Sequence, residues 1–121
     1  MRKSSYQDLQ VWQKAMALAE AVYKETSSFP KQEEYGLKTQ MRRAAVSAPS
    51  NIAEGSQRGT DADFAYFIVI AKGSLAELAT QTILASKFGY ISAPNCKILL
   101  NDIDELQKML YSFYQTLKAK G

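Results

Sequence analysis

The 121 residues contain no histidine and a single cysteine, Cys96. Without histidine the chain lacks the usual general base near neutral pH and the commonest metal ligand. A zinc site would need four thiolates or a cage of carboxylates, and one thiol cannot supply the first. No intrachain disulfide can form, which suits a reducing compartment. Low-complexity tracts and internal repeats are absent. The longest apolar run, residues 64–71, is FAYFIVIA. It is far short of the about 20 residues that a membrane-crossing helix requires. The opening MRKSSYQDLQ carries charge with no apolar core behind it, unlike a signal peptide. These absences predict a cytoplasmic chain without metal, cofactor or covalent cross-link.

What is present is enough for one folded domain spanning residues 1–121, with 46% hydrophobic and 22% charged residues. The net charge of +3 is compatible with a polyanionic partner without demanding one.

The apolar residues fall into helical periods. From Tyr6 to Ser28, the series Leu9, Trp12, Met16, Ala19, Tyr23 and Thr26 alternates steps of three and four, which predicts a seam facing a partner helix. Val11, Ala15, Leu18 and Val22 form a second stripe beside it. A second helix is expected from Gln32 to Gln57, with Glu33 and Glu34 in its first turn and Gly55 or Gly59 as its C-terminal cap. Pro49 lies inside it, and the apolar arc through Met41, Ala44, Ala45, Ala48 and Ile52 stays in phase across it. That predicts one helix kinked at Pro49. A third helix follows Thr60 and carries Phe64, Ile68, Ala71, Leu75, Leu78, Thr82 and Ala85 inward, ending near Gly89. A fourth runs from about Pro94 to Ala119 on the seam Leu99, Ile103, Leu106, Leu110, Phe113 and Leu117. Long helices with short connections predict an all-α, antiparallel up-down-up-down four-helix bundle. Apolar residues exceed what such a bundle buries, notably the two stripes of the first helix and Tyr66, Phe67, Val69 and Ile70 of the third. That surplus predicts homo-oligomerisation.

One stretch reads as more than packing. In RRAAVSAPSNIAEG, residues 42–55, the side chains of Arg43, Ser47, Ser50, Asn51 and Glu54 share about a third of the helix circumference. Arg43 and Glu54 are about 16 Å apart along the axis, too far to pair. Glu77, with Ser74 beside it in GSLAEL, is the natural counterpart on the third helix. The structural reading makes Arg43, Ser47, Asn51, Glu54, Ser74 and Glu77 a buried polar network, because buried charges must be paired. In that case Glu54→Ala should cost about 3 kcal/mol or more. The enzymatic reading uses Glu54 and Glu77 as an acid–base pair. With no nucleophile–base pairing legible, it carries less weight. Lys38, Arg42 and Arg58 form a basic cluster with few nearby acids, a candidate surface for a polyanion.

The segments QMRRAAVSAPSNIAEG (40–55), AKGSLAEL (71–78), LQVWQKA (9–15) and FPKQEEYGL (29–37) resemble the bacterial four-helix-bundle proteins known as the 23S ribosomal RNA intervening-sequence protein family. The resemblance covers almost the whole chain, in order and spacing. It implies an all-α bundle assembling as a homopentamer, without an established enzymatic activity. The family is also similar to the accessory variability determinant of diversity-generating retroelements, a more basic pentameric bundle that associates with reverse transcriptase and nucleic acid. The resemblance maps onto Arg43, Ser47, Asn51, Glu54, Gly55, Ser74 and Glu77, while Ala48 stands where a larger aliphatic residue is usual.

The expectation is therefore a homo-oligomeric helical scaffold or binding module, with a basic face available to RNA or a nucleic-acid enzyme. The alternative is a purely structural protein–protein assembly module without nucleic acid.

Overall fold

The computed structural model describes residues 5–120. The first four residues of the opening segment lie outside the described residues. Helices α1 (Gln10–Thr26), α2 (Leu37–Ser56), α3 (Asp61–Lys87) and α4 (Ala93–Lys120) run up and down in sequence. Each packs on its neighbours in chain order and α4 closes against α1, so α1 and α3 lie on one diagonal and α2 and α4 on the other.

The expected seams of α3 and α4 are the observed core. Ile68, Ala71, Leu75, Leu78, Thr82 and Ala85 are buried on α3, and Leu99, Ile103, Leu106, Leu110 and Leu117 on α4. Phe64 and Phe113 stay half-buried and meet edge-on, with ring centroids 5.1 Å apart. On α2, Met41, Ala44, Ala45, Ala48 and Ile52 are buried as expected, and the helix is continuous through Pro49.

On α1 the second stripe supplies most of the core. Val11, Ala15, Leu18 and Val22 form the core together with Ala19 and Thr26 of the expected seam, while its large members Trp12, Met16 and Tyr23 sit at the surface or half out of it. The sequence alone could not choose between two stripes of equal period. The compact β-branched and aliphatic side chains fit the narrow interior beside the alanine-rich face of α2, and the large ones do not.

Helix entries also differ from expectation. Tyr6–Asp8 is a short 3-10 turn capped reciprocally by Ser5 and Asp8, and Leu9 is extended before α1 begins. Lys31–Glu33 is likewise a separate 3-10 turn. Glu33 still serves the positive end of α2, but from outside it: its Oε1 accepts the Leu37 N–H at 2.9 Å. At the start of α3, Thr60 accepts the Asp63 N–H at 3.1 Å, as its spacing suggested.

Two glycines divide differently from the expected capping. Gly59 has φ +99, but Gly55 lies within α2 and has no positive φ. A Cβ at Gly55 would stand 2.7 Å from Phe67 Cβ and 2.9 Å from Phe64 Cδ1, so glycine is there to let α2 and α3 approach. Gly89, φ +82, ends α3 in a Schellman turn, with Tyr90 N–H reaching the Ala85 carbonyl at 2.9 Å.

Candidate functional site

The approach at Gly55 sets what can lie between α2 and α3. Ser47 and Ser74 share a hydrogen bond across the interface at 2.8 Å. Asn51 Nδ2 donates to Ser47 Oγ at 3.0 Å and to the Ser47 carbonyl at 2.8 Å. All three are half-buried and together form a polar joint.

Within one chain the other three residues of the expected network stay outside it. Arg43, Glu54 and Glu77 are exposed. Glu54 pairs at 2.7 Å with Arg58, in the turn just after α2. Helices close enough for a serine–serine bond leave no volume for longer charged side chains, which keep their hydration at the rim. Arg43 and Glu77 do line one cleft of about 530 Å³, with Tyr35 beside them, and neither has an ion pair among the described residues. Glu54 is not in that cleft, so the two carboxylates of the enzymatic reading are not brought together.

The basic cluster is occupied from within. Arg42 Nη2 donates to the Tyr23 carbonyl at 3.1 Å and its Nε to Thr26 Oγ1 at 2.8 Å. Its guanidinium lies 4.3 Å over the Tyr23 ring. Arg42 thus caps the negative end of α1. Lys38 pairs with Glu34 at 3.1 Å. Arg58, besides holding Glu54, sits 4.7 Å over the Phe67 ring. A second joint escaped the sequence reading: Gln107 Nε2 donates to the Lys72 carbonyl at 2.8 Å while Lys72 Nζ donates to Gln107 Oε1 at 3.1 Å. Its signal is two ordinary surface-type residues far apart in the chain, which no spacing rule connects.

The larger surface features are apolar. Trp12, Met16 and Tyr23 of α1 and Val46, Pro49 and Ala53 of α2 line a groove of about 550 Å³. On the far side of the bundle, the outer face of α3 carries Tyr66, Val69, Gly73, Ala76, Thr80 and Ile83 in unbroken steps of three and four, all exposed. No charge interrupts that seam before Lys87. The outer face of α4, by contrast, exposes Lys97, Asp104, Glu105 and Lys108. α3 is long and apolar enough to cross a membrane by length and composition, with a mean hydropathy of 1.3. A core helix whose outer face is also apolar has the same composition.

The sequence matches the family described as 23S rRNA-intervening sequence protein over residues 7–112. The chain belongs to that family. A crystal structure from Bacteroides thetaiotaomicron, of a protein of unknown function in the S23 ribosomal protein family, is similar to it. That similarity has a TM-score of 0.77 and 27% identity, over 86% of this chain and 97% of that one. No curated protein sequence matches the chain. The family match spans all four helices of the bundle, and the similar Bacteroides protein is described as having unknown function.

Proposed function

We propose that this chain is a non-enzymatic assembly module that works in the cytoplasm as a homo-oligomeric helical scaffold. The observation that carries this reading is the outer seam of α3, an exposed and uncharged row from Tyr66 to Ile83. Such a row is what a helix–helix contact uses, and a solvated face does not need it. The free thiol Cys96, buried at 8% exposure, accords with a reducing compartment. Five copies is the number that the family resemblance implies.

Light scattering during size-exclusion chromatography tests the reading. The expected result is a multiple of 13.5 kDa, fivefold for a pentamer. A single-chain mass at high micromolar concentration would overturn it.

A nucleic-acid contact is a second reading, favoured by Arg43, an exposed guanidinium without an ion pair among the described residues. The engagement of Lys38, Arg42 and Arg58 within the chain supports instead the purely structural form of the module. The absorbance ratio of the same chromatographic peak separates the two. Co-eluting RNA that dissociates as salt rises supports the contact; a protein-like ratio at low salt, with no RNA shift, removes it.

A further inference from the structure

We infer that the cleft between α2 and α3 binds a small polar zwitterion of the amino-acid class, with its carboxylate on Arg43 and its ammonium on Glu77. One chain makes the whole cleft, so no second copy is needed.

The two charges stand opposite each other without meeting. Ser47 and Ser74 bond across the interface at 2.8 Å, which sets the antiparallel register of α2 against α3. Arg43 lies four residues before Ser47 and Glu77 three residues after Ser74. Both are therefore about one turn from that bond, on the same side of it. Yet they form no ion pair with each other or with any other described residue. The cleft that they line holds about 530 Å³, within the about 300–1,000 Å³ of small-molecule sites. The serine bond fixes the two helices, and with them the spacing of the two charges, before a ligand arrives.

Charge selects the ligand. Among the described residues that line the cleft, Arg43 is the one cation and Glu77 the one anion. A guanidinium takes a carboxylate through two parallel N–H donors, and a carboxylate accepts from an ammonium. A ligand with both groups satisfies both side chains and adds no net charge to the site. A chain of phosphates would set its negative charge against Glu77 as well as Arg43. Thr39 Oγ1 is already spent on the Glu34 carbonyl and Ser47 Oγ on Ser74. The Gln40 amide and the Tyr35 hydroxyl, both on exposed side chains, remain to meet the rest of the ligand. The one aliphatic group in the wall is the methyl of Ala44, so polar ligands are favoured over those with a large apolar side chain.

Saturation-transfer NMR on the full chain tests this. The zwitterionic probes are glutamine, γ-aminobutyrate and glycylglycine, which hold a carboxylate and an ammonium at different separations. Acetate and methylammonium carry one charge each. Saturable binding of at least one zwitterion in the millimolar range is expected. Acetate and methylammonium should each bind at least about tenfold more weakly, since each lacks one charge-assisted bond. Arg43→Glu alone and Glu77→Arg alone should each abolish the signal. Both positions are exposed, so unchanged far-UV circular dichroism is expected. The double variant carrying Arg43→Glu and Glu77→Arg should recover binding, because a zwitterion can enter the other way round; a merely structural role for either residue gives no such recovery. Should a reversal lose helix content, Arg43→Gln and Glu77→Gln test the same two anchors, each with a loss of about tenfold or more. No zwitterion bound at tens of millimolar, or acetate bound as tightly as the zwitterions, would overturn the assignment. So would a folded double variant as silent as the single ones.

Discussion

The Tyr90 hydroxyl donates to Glu33 Oε2 at 3.0 Å, tying the α3–α4 turn to the entry of α2. The same carboxylate caps Leu37 through its other oxygen. Tyr90 also packs on Phe29, with ring centroids 5.3 Å apart. One acid therefore joins two turns and a helix end. The hydrogen bond to Glu33 is the main reason the phenol is held above its ordinary value of 10.0, with partial burial and the negative charge of Glu33 adding to it. A raised folded value means that this contribution to stability is complete below about pH 10 and is lost as pH climbs through the folded value. Tyr90→Phe should remove it. The stability gap between parent and variant, measured by urea unfolding, should be constant at neutral pH and shrink above pH 10. A gap that is flat through pH 12 would contradict this.

Arg42 and Glu54 should differ sharply, although both are charged residues of α2. Arg42→Ala removes two hydrogen bonds and a stacked ring, and should cost about 2 kcal/mol. Arg42→Lys should not restore it, because an ammonium cannot reproduce the guanidinium fork. Glu54→Ala should cost about 0.5 kcal/mol or less, as its side chain is 54% exposed in a local ion pair four residues apart in sequence. This replaces the larger loss expected of a buried network. Self-association shifts apparent stability with concentration, so the variants are compared by urea unfolding at one chain concentration.

Gly55→Ala should destabilise by about 1–3 kcal/mol, because its methyl group would enter the space of Phe67 Cβ and Phe64. Helix propensity alone would give the opposite sign, by about 1 kcal/mol. Gly73→Ala, facing open space, should follow propensity and stabilise the chain at a fixed chain concentration. Thermal unfolding of the two variants reads the contrast in sign.

Gln81→Met should stabilise. Gln81 is 6% exposed on α3, and its Oε1 is buried without a hydrogen-bond partner. Removing an unpaired buried acceptor while keeping the side-chain length recovers about 1 kcal/mol of desolvation cost. A urea midpoint lower than the parent's would mean that the acceptor is satisfied in solution.

The inward seams of α3 and α4 were legible because one stripe of the right period dominates each helix. The α2 motif was legible as a joint, and Ser47, Asn51 and Ser74 form one. Its charged members were placed by chemistry that periodicity does not carry. A shared arc says which side of a helix Arg43, Glu54 and Glu77 occupy, but not whether the facing helix stands near enough to enclose them. Arg42 looked free for the same reason, since Tyr23 and Thr26 become its neighbours only through helix packing; Lys38 and Arg58 pair locally, with Glu34 and Glu54 four residues before them, a spacing the sequence already carries.

The sequence by itself determined the class: four amphipathic helices in an up-down bundle, with no histidine and a single thiol to support familiar chemistry. Those properties follow from composition and from periods that any helix must obey. The tertiary structure decided which stripe of α1 is core, why Gly55 is a glycine, and which charges remain unpaired. Each of these depends on the distance between helices, which side-chain volumes on several elements set together.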